Sequence, residues 1–275
     1  AILAWDFGDR TVTDPTSLAV IQAFLTPGDL TQSDANAGEV RDGLTATLAS
    51  VDCARLTATF IQETGALELR GHVPDNAARA PILAALQSQI GDGITVIDNL
   101  LYLPRPQCGA LTGIADIGLP QSTDQFTNAR LIGENAHARE YGFVEGQRLS
   151  FDLTAPDYDA VVYVDYFDAA GQVIHLVPND TVPLTMHPAR TAFGVGIDNG
   201  DRRSLNITIG PPFGQEITVA FAASIPLFDN PRTLVEPAEP YLEFLKARIA
   251  DARRESHDFK GEWVYFLVTT APATQ

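Results

Sequence analysis

The residues best suited to chemistry crowd into one stretch, YVDYFDAAGQVIHLVPND, from Tyr163 to Asp180. It brings Asp165, Asp168, His175 and Asp180 close together in the chain, with aromatic residues between them. Carboxylates near an imidazole are the raw material of general acid–base catalysis or of a metal site. The same pattern also fits a β-hairpin whose polar positions face solvent. Val162, Val164 and Tyr166 fall on one strand face, and Val161, Tyr163, Asp165 and Phe167 on the other. Asp168-Ala169-Ala170-Gly171 has hairpin-loop chemistry, with Asp accepting backbone bonds at the start and Gly supplying positive φ at the end. Ile174 and Leu176 then alternate with Val173, His175 and Val177, and Asp180 belongs to the next turn, beside Asn179. The hairpin accounts for everything except Asp165 and His175. A single His on a strand face is far more often structural than catalytic, so no catalytic residue is assigned.

Other constellations are weaker. GVGIDNGDRR (Gly194 to Arg203) looks like a phosphate loop but has no lysine and no strand–loop–helix setting, so it reads as a turn. His137 and Glu140 stand at helical spacing without a third ligand. Asn206-Ile207-Thr208 fits a glycosylation sequon inside an expected strand. There is no CxxC and no Cys/His cluster with zinc spacing, so neither a metal nor a cofactor is expected. Pro211-Pro212-Phe213-Gly214 ends one strand and restarts another, because two prolines withdraw two N–H donors. Phe213 at its tip reads as exposed and as a candidate partner contact.

These residues need elements to hold them. The chain has 275 residues, enough for two domains, and an ordinary apolar share. Its net charge of −17 argues against nucleic acid and anionic membrane surfaces as partners. No apolar run approaches the length that crosses a bilayer, so membrane attachment is expected only through a segment outside this chain. Cys53 precedes one alternating run (Leu56 to Glu63) and Cys108 follows another (Ile94 to Pro104). If those runs are neighbouring strands, the thiols meet in a disulfide and the compartment is oxidising. The alternative is two unpaired cysteines in a cytosolic protein.

Residues 1–35 read as a lead-in, with a short helix at Leu18 to Leu25. A helix follows Ser33, with Val40, Leu44, Leu48 and Val51 on one face. Strands Leu56 to Glu63 and Ala66 to Val73 meet at the Thr64-Gly65 turn. A helix carrying Ile82, Leu86 and Ile90 comes next, with Pro81 awkward inside it and Gly91 as C-cap, and strand Ile94 to Leu103 closes the unit. Residues 36–108 thus form a small α-β-β-α-β two-layer domain. Residues 109–130, rich in Gly, Thr, Ser and Asp, read as a flexible linker. From 131 to 275 the chain offers short strands at Arg148 to Thr154, Asp159 to Phe167, Gln172 to Val177, Ala192 to Ile197, Ser204 to Ile209 and Glu216 to Ser224. The helix Pro240 to Glu255 buries Leu242, Leu245, Ile249 and Ala252, and the strand Gly261 to Thr270 rejoins the sheet. The fold class is α+β: the two-layer domain, then an immunoglobulin-like β-sandwich with a C-terminal helix and strand.

Two resemblances follow from these residues. LELRGHVPD (Leu67 to Asp75) and GITVIDNLLY (Gly93 to Tyr102), through Gly71, Val73, Val96, Asn99 and Leu100, resemble a BON-type domain. That likeness implies a non-catalytic envelope module for attachment to membranes or partners. YDAVVYVDYFDAAGQVIHLVPN (Tyr158 to Asn179), IGPPFGQEITVAFAASIPLF (Ile209 to Phe228) and YLEFLKARI (Tyr241 to Ile249) resemble a DUF4384-type domain, covering about 131–270. Such domains occur C-terminal in bacterial serine/threonine kinases and caspase-like proteins. Kinase motifs are absent here. The expectation is a non-enzymatic, periplasmic or otherwise extracytoplasmic sensory or scaffolding region that binds a protein or cell-wall partner. A small-ligand or peptide binder and a carboxylate-dependent hydrolase using Asp165 and Asp168 are the alternatives.

Overall fold

The computed structural model describes residues 2–6, 51, 53–61, 64–90, 94–127, 138–196, 205–228 and 230–273. The chain divides into two compact units, Ala1–Cys108 and Gly109–Gln275.

The first unit is a four-stranded mixed sheet in the order β1-β2-β3-β4. The strands are β1 (Ile2–Asp6), β2 (Arg55–Ile61), β3 (Ala66–Val73) and β4 (Thr95–Tyr102), with helix α1 (Asn76–Ile90) between the last two. β2 and β3 form the expected tight hairpin, Ile61 opposite Ala66. β4 pairs parallel to β3, which the intervening helix permits. The helix begins at Asn76, capped by Asp75, whose Oδ1 accepts the Ala78 N–H at 2.8 Å, and it carries Pro81 within it. Ile82, Leu86 and Ile90 are buried with Leu56, Leu67, Leu69 and Val73, so the helical stripe and the strand alternation share one core. Gly71 is required by geometry: its φ is +136°, and a Cβ there would stand 2.0 Å from the Arg55 carbonyl oxygen. One element departs from the expectation, since residues 2–6 of the lead-in form a strand parallel to β2. The expected helices at Leu18 to Leu25 and beyond Ser33, and the Gly91 cap, lie outside the described residues.

The second unit centres on a seven-stranded sheet in the order β12-β8-β7-β11-β13-β5, with β9 on the end of β7. Its strands are β5 (Glu140–Val144), β7 (Ala160–Phe167), β8 (Gln172–Val177), β9 (Met186–His187), β11 (Gln215–Ala223), β12 (Val235–Pro237) and β13 (Gly261–Ala271). A two-stranded sheet, β6 (Phe151–Thr154) with β10 (Ala192–Val195), packs Phe151, Leu153 and Val195 against Val162, Val164, Ala222, Phe266 and Val268. The other face takes helix α4 (Ala238–Glu255), whose buried residues are Ala238, Tyr241, Leu242, Leu245, Ile249 and Ala252. β7 is therefore buried at every position, because both its faces are covered.

Three expectations change here. The immunoglobulin-like sandwich is lopsided: among the described residues the second sheet has two strands against seven, and β13 pairs parallel with β5. The segment expected to be a linker is structured. Helix α2 (Gln107–Ala115) brings Gly113 so close to Leu242 that a Cβ would meet its side chain at 2.8 Å. Beyond it, Trp263 Nε1–H donates to Leu119 O, Ser122 N–H to Trp263 O, and Tyr265 N–H to the Gln125 side chain in the short helix α3 (Asp124–Thr127). The Gly, Ser and Thr composition of 109–127 thus reflects close backbone approach and strapping to β13, whereas a linker was inferred from polarity. Finally, Asn206–Thr208, expected within a strand, forms none and joins Arg148 through one bridge at Thr208; Glu140 opens a strand, and His137 lies outside the described residues.

Candidate functional site

The opening stretch forms the β7–β8 hairpin, and its turn is built as its residues require. Asp168 Oδ1 accepts the N–H groups of Ala170 at 2.9 Å and Gln172 at 2.8 Å, and Gly171 takes φ +82°. That turn fixes the register: Phe167 faces Val173, Tyr166 faces Ile174, and Asp165 faces His175. The two residues that the hairpin pattern left unexplained are thus a directly opposed cross-strand pair. They are not solvent-facing, Asp165 being 1% exposed and His175 3%. The reason is α4, which roofs that face.

Around the pair the fold closes a chain of five polar side chains from four elements and a loop. Tyr241 of α4 donates its hydroxyl to Asp165 Oδ2 at 2.5 Å. Asp165 Oδ1 lies 2.6 Å from His175 Nδ1, and His175 Nε2 lies 3.0 Å from Glu236 Oε1 on β12. Arg232, four residues before Glu236, grips that carboxylate through both Nε and Nη2, the latter at 2.6 Å. The Tyr241 ring stands edge-on to the imidazole at 4.6 Å between centroids. Burial lowers the His175 pKa, but the bonds and charges of Asp165 and Glu236 outweigh it and leave it above the ordinary value. Glu236 is held below the usual carboxylate range, chiefly by the Arg232 bond. Every polar atom of the imidazole and of Asp165 that the hairpin offers is engaged inside the fold. Glu236, Arg232 and Tyr241 carried no signal in the sequence, since only folding brings them to the hairpin: Glu236 is 61 residues from His175 and Tyr241 is 76 from Asp165.

Asp168 is spent on its turn, and Asp180 lies in the following one, where Asn179 Oδ1 accepts the N–H groups of Thr181 and Val182, both at 2.9 Å. Phe213 is not an exposed tip: Pro211 and Pro212 are exposed, whereas Phe213 folds back half-buried onto the sandwich core. Apolar area drives that return. Gly194 to Gly196 belong to β10 and its end; the rest of that glycine-containing stretch, 197–203, lies outside the described residues. Cys53 and Cys108 are joined, with their Cα atoms 5.0 Å apart.

Two clefts are lined in part by β10, which contributes Ala192, Phe193 and Gly194 to both. One, of about 560 Å³, is apolar and lined by residues including Leu176, Val182, Met186, Phe193, Leu205 and Ile207. The other, of about 650 Å³, has a floor of Ala220 and Ala222 and carries Asp124, Arg139, Asp152 and Glu262. Burial raises the pKa of Glu262. No cluster of three or more metal-ligating side chains occurs among the described residues.

Residues 63–104 match the family of BON-like domains, well under half of the chain. The match starts in the β2–β3 hairpin and ends just past β4, so it covers the β3-α1-β4 unit together with Gly71. It suggests a binding or envelope-associated module; such domains are often found in bacterial envelope proteins. No curated protein matches the chain. No helix among the described residues is long and apolar enough to cross a membrane.

Proposed function

We propose that this chain is a non-catalytic sensory or scaffolding region of a bacterial envelope-associated signalling protein, of the kind that forms the extracytoplasmic part of a serine/threonine kinase. Its role is to bind a protein or cell-wall partner. The BON-like match of residues 63–104 carries the reading. Three features add support. Residues of about 131–270 resemble a DUF4384-type domain, the Cys53–Cys108 pair suits an oxidising compartment, and a net charge of −17 disfavours nucleic acid. A hydrolase using Asp165 and Asp168 would need those carboxylates at substrate, whereas one is sealed under α4 and the other holds a turn.

The test is crosslinking in native envelope followed by affinity recovery of the chain. One stoichiometric partner, lost when the surface of β3-α1-β4 is altered and kept when the second unit's clefts are altered, is the expected result. Recovery of the chain alone, together with both thiols free after acid quench and alkylation, would sink the reading.

A second reading is favoured by the apolar cleft beside β10: a module for a small ligand, in a cavity within the size range of ordinary ligand sites. A melting-temperature rise with soluble wall fragments or short aliphatic ligands, abolished by filling the cleft with Leu205→Trp, supports it. An unchanged melting temperature across such a panel counts against it.

A further inference from the structure

We infer that His175 is a pH-gated clasp: as an imidazolium it ties the edge strand β12 to β8 and β7, and it lets β12 go when it loses its proton. The geometry makes the case. Both ring nitrogens face carboxylate oxygens, Nδ1 at 2.6 Å and Nε2 at 3.0 Å. An ionised carboxylate only accepts, so both contacts are hydrogen bonds only if both nitrogens carry protons. The charged and titratable groups around the ring are Asp165 from β7, Glu236 from β12, Tyr241 from α4 and, behind Glu236, Arg232 from the segment before β12. With His175 protonated, two cations balance two anions. Without that proton, one nitrogen lone pair of the buried imidazole confronts a carboxylate.

Which contact fails is decided by the partners. Asp165 is the more deeply buried carboxylate and keeps the remaining proton on Nδ1, with Tyr241 on its other oxygen. Glu236 is more exposed and retains Arg232, so the Nε2 side opens. β12 is a short edge strand: three residues pair with β8, and the backbone bonds beside them are His175 N–H to Leu234 O at 2.9 Å and Ala238 N–H to Gly171 O at 3.2 Å. The sign follows from the folded-state pKa lying above the unfolded one. The clasp's stabilisation is complete below the ordinary His value of about 6.5 and is lost as pH rises through the folded value. Opening frees the backbone edge of β8, the kind of edge to which another strand adds.

The experiment is NMR on the full 275-residue chain from mildly acid to mildly alkaline pH. It follows the His175 ring and the amide exchange of the hairpin, each rate divided by its intrinsic chemical rate. The His175 ring should titrate above its ordinary range, and protection of its amide should drop about tenfold or more around the same midpoint. Amides pairing β7 with β11 should keep theirs. Glu236→Gln, whose side chain both donates and accepts, should erase the step in protection. A ring titrating at or below about 6.5, a constant protection of the His175 amide, or a step that survives in Glu236→Gln would each overturn the clasp. So would a simultaneous loss of protection in β7 and β11, which is global unfolding. The wild-type measurements stand on their own if the variant does not fold.

Discussion

At the scale of single residues, Asp165 and His175 show how much one strand pattern can hide. The hairpin and its turn were legible from Asp168 and Gly171, and counting outward from that turn already sets residue 165 against 175. Their partners were not legible, because Glu236 and Tyr241 come from an edge strand and a helix whose docking no local pattern encodes. The solvent-facing assignment failed for the same reason: alternation gives two faces but not which of them is roofed. Removing one member of a buried, paired cluster strands its charged neighbours. Asp165→Ala should therefore destabilise the second unit by roughly 4 kcal/mol, leaving His175 between Glu236 and a void. Denaturant unfolding followed by the fluorescence of Trp263, which is buried in that unit, measures it. A loss within experimental error of zero would mean that the cluster contributes nothing net. Phe213 teaches the converse lesson, since two exposed prolines precede a side chain that returns to the core.

At the scale of elements, periodicity served well where a segment has one buried side and poorly elsewhere. α4 was readable down to Leu242, Leu245, Ile249 and Ala252, and only Ala238 and Tyr241 were missed. β12, with three residues, and β9, with two, are too short for any period to register. The strap of residues 109–127 has helix, turn and extended pieces in quick succession, so its order comes from side-chain and backbone bonds to β13. In the first unit the β2–β3 contact depends on Gly71. Gly71→Ala would drive a Cβ into the Arg55 carbonyl and hold alanine at φ +136°. It should cost about 3 kcal/mol or more and disrupt this hairpin before the second unit is affected. Hydrogen exchange of the Leu56 to Leu69 amides would show faster opening; unchanged exchange there would contradict the close approach.

At the scale of the whole molecule, two units were legible and the first ends at Cys108 as expected, whereas 109–127, expected as a linker, belongs with the second. The bridge between Cys53 and Cys108 encloses β2, β3, α1 and β4, and with them all of residues 63–104. Closing a loop of 55 residues stabilises by about 4 kcal/mol in the chain-entropy account. Reduction should therefore lower the first unit's melting temperature and leave the second unit's transition in place. Calorimetry with and without reductant reads this directly, and a single transition that shifts as a whole would contradict it.

The same bridge also has a mechanical consequence. Cys108 is the last residue of the first unit, so a pull arriving through the following chain meets the crosslink before it meets any strand of the BON-like segment. Tension passes from sulfur to sulfur and continues along the chain that precedes Cys53. The enclosed loop is out of the load path, and about 55 residues, roughly 200 Å of extended chain, stay stored however far the ends are drawn apart. Stretching single molecules before and after reduction would show that length appear only once the bridge is cut. A domain enclosed in such a loop stays folded under loads that would unravel an unbridged one.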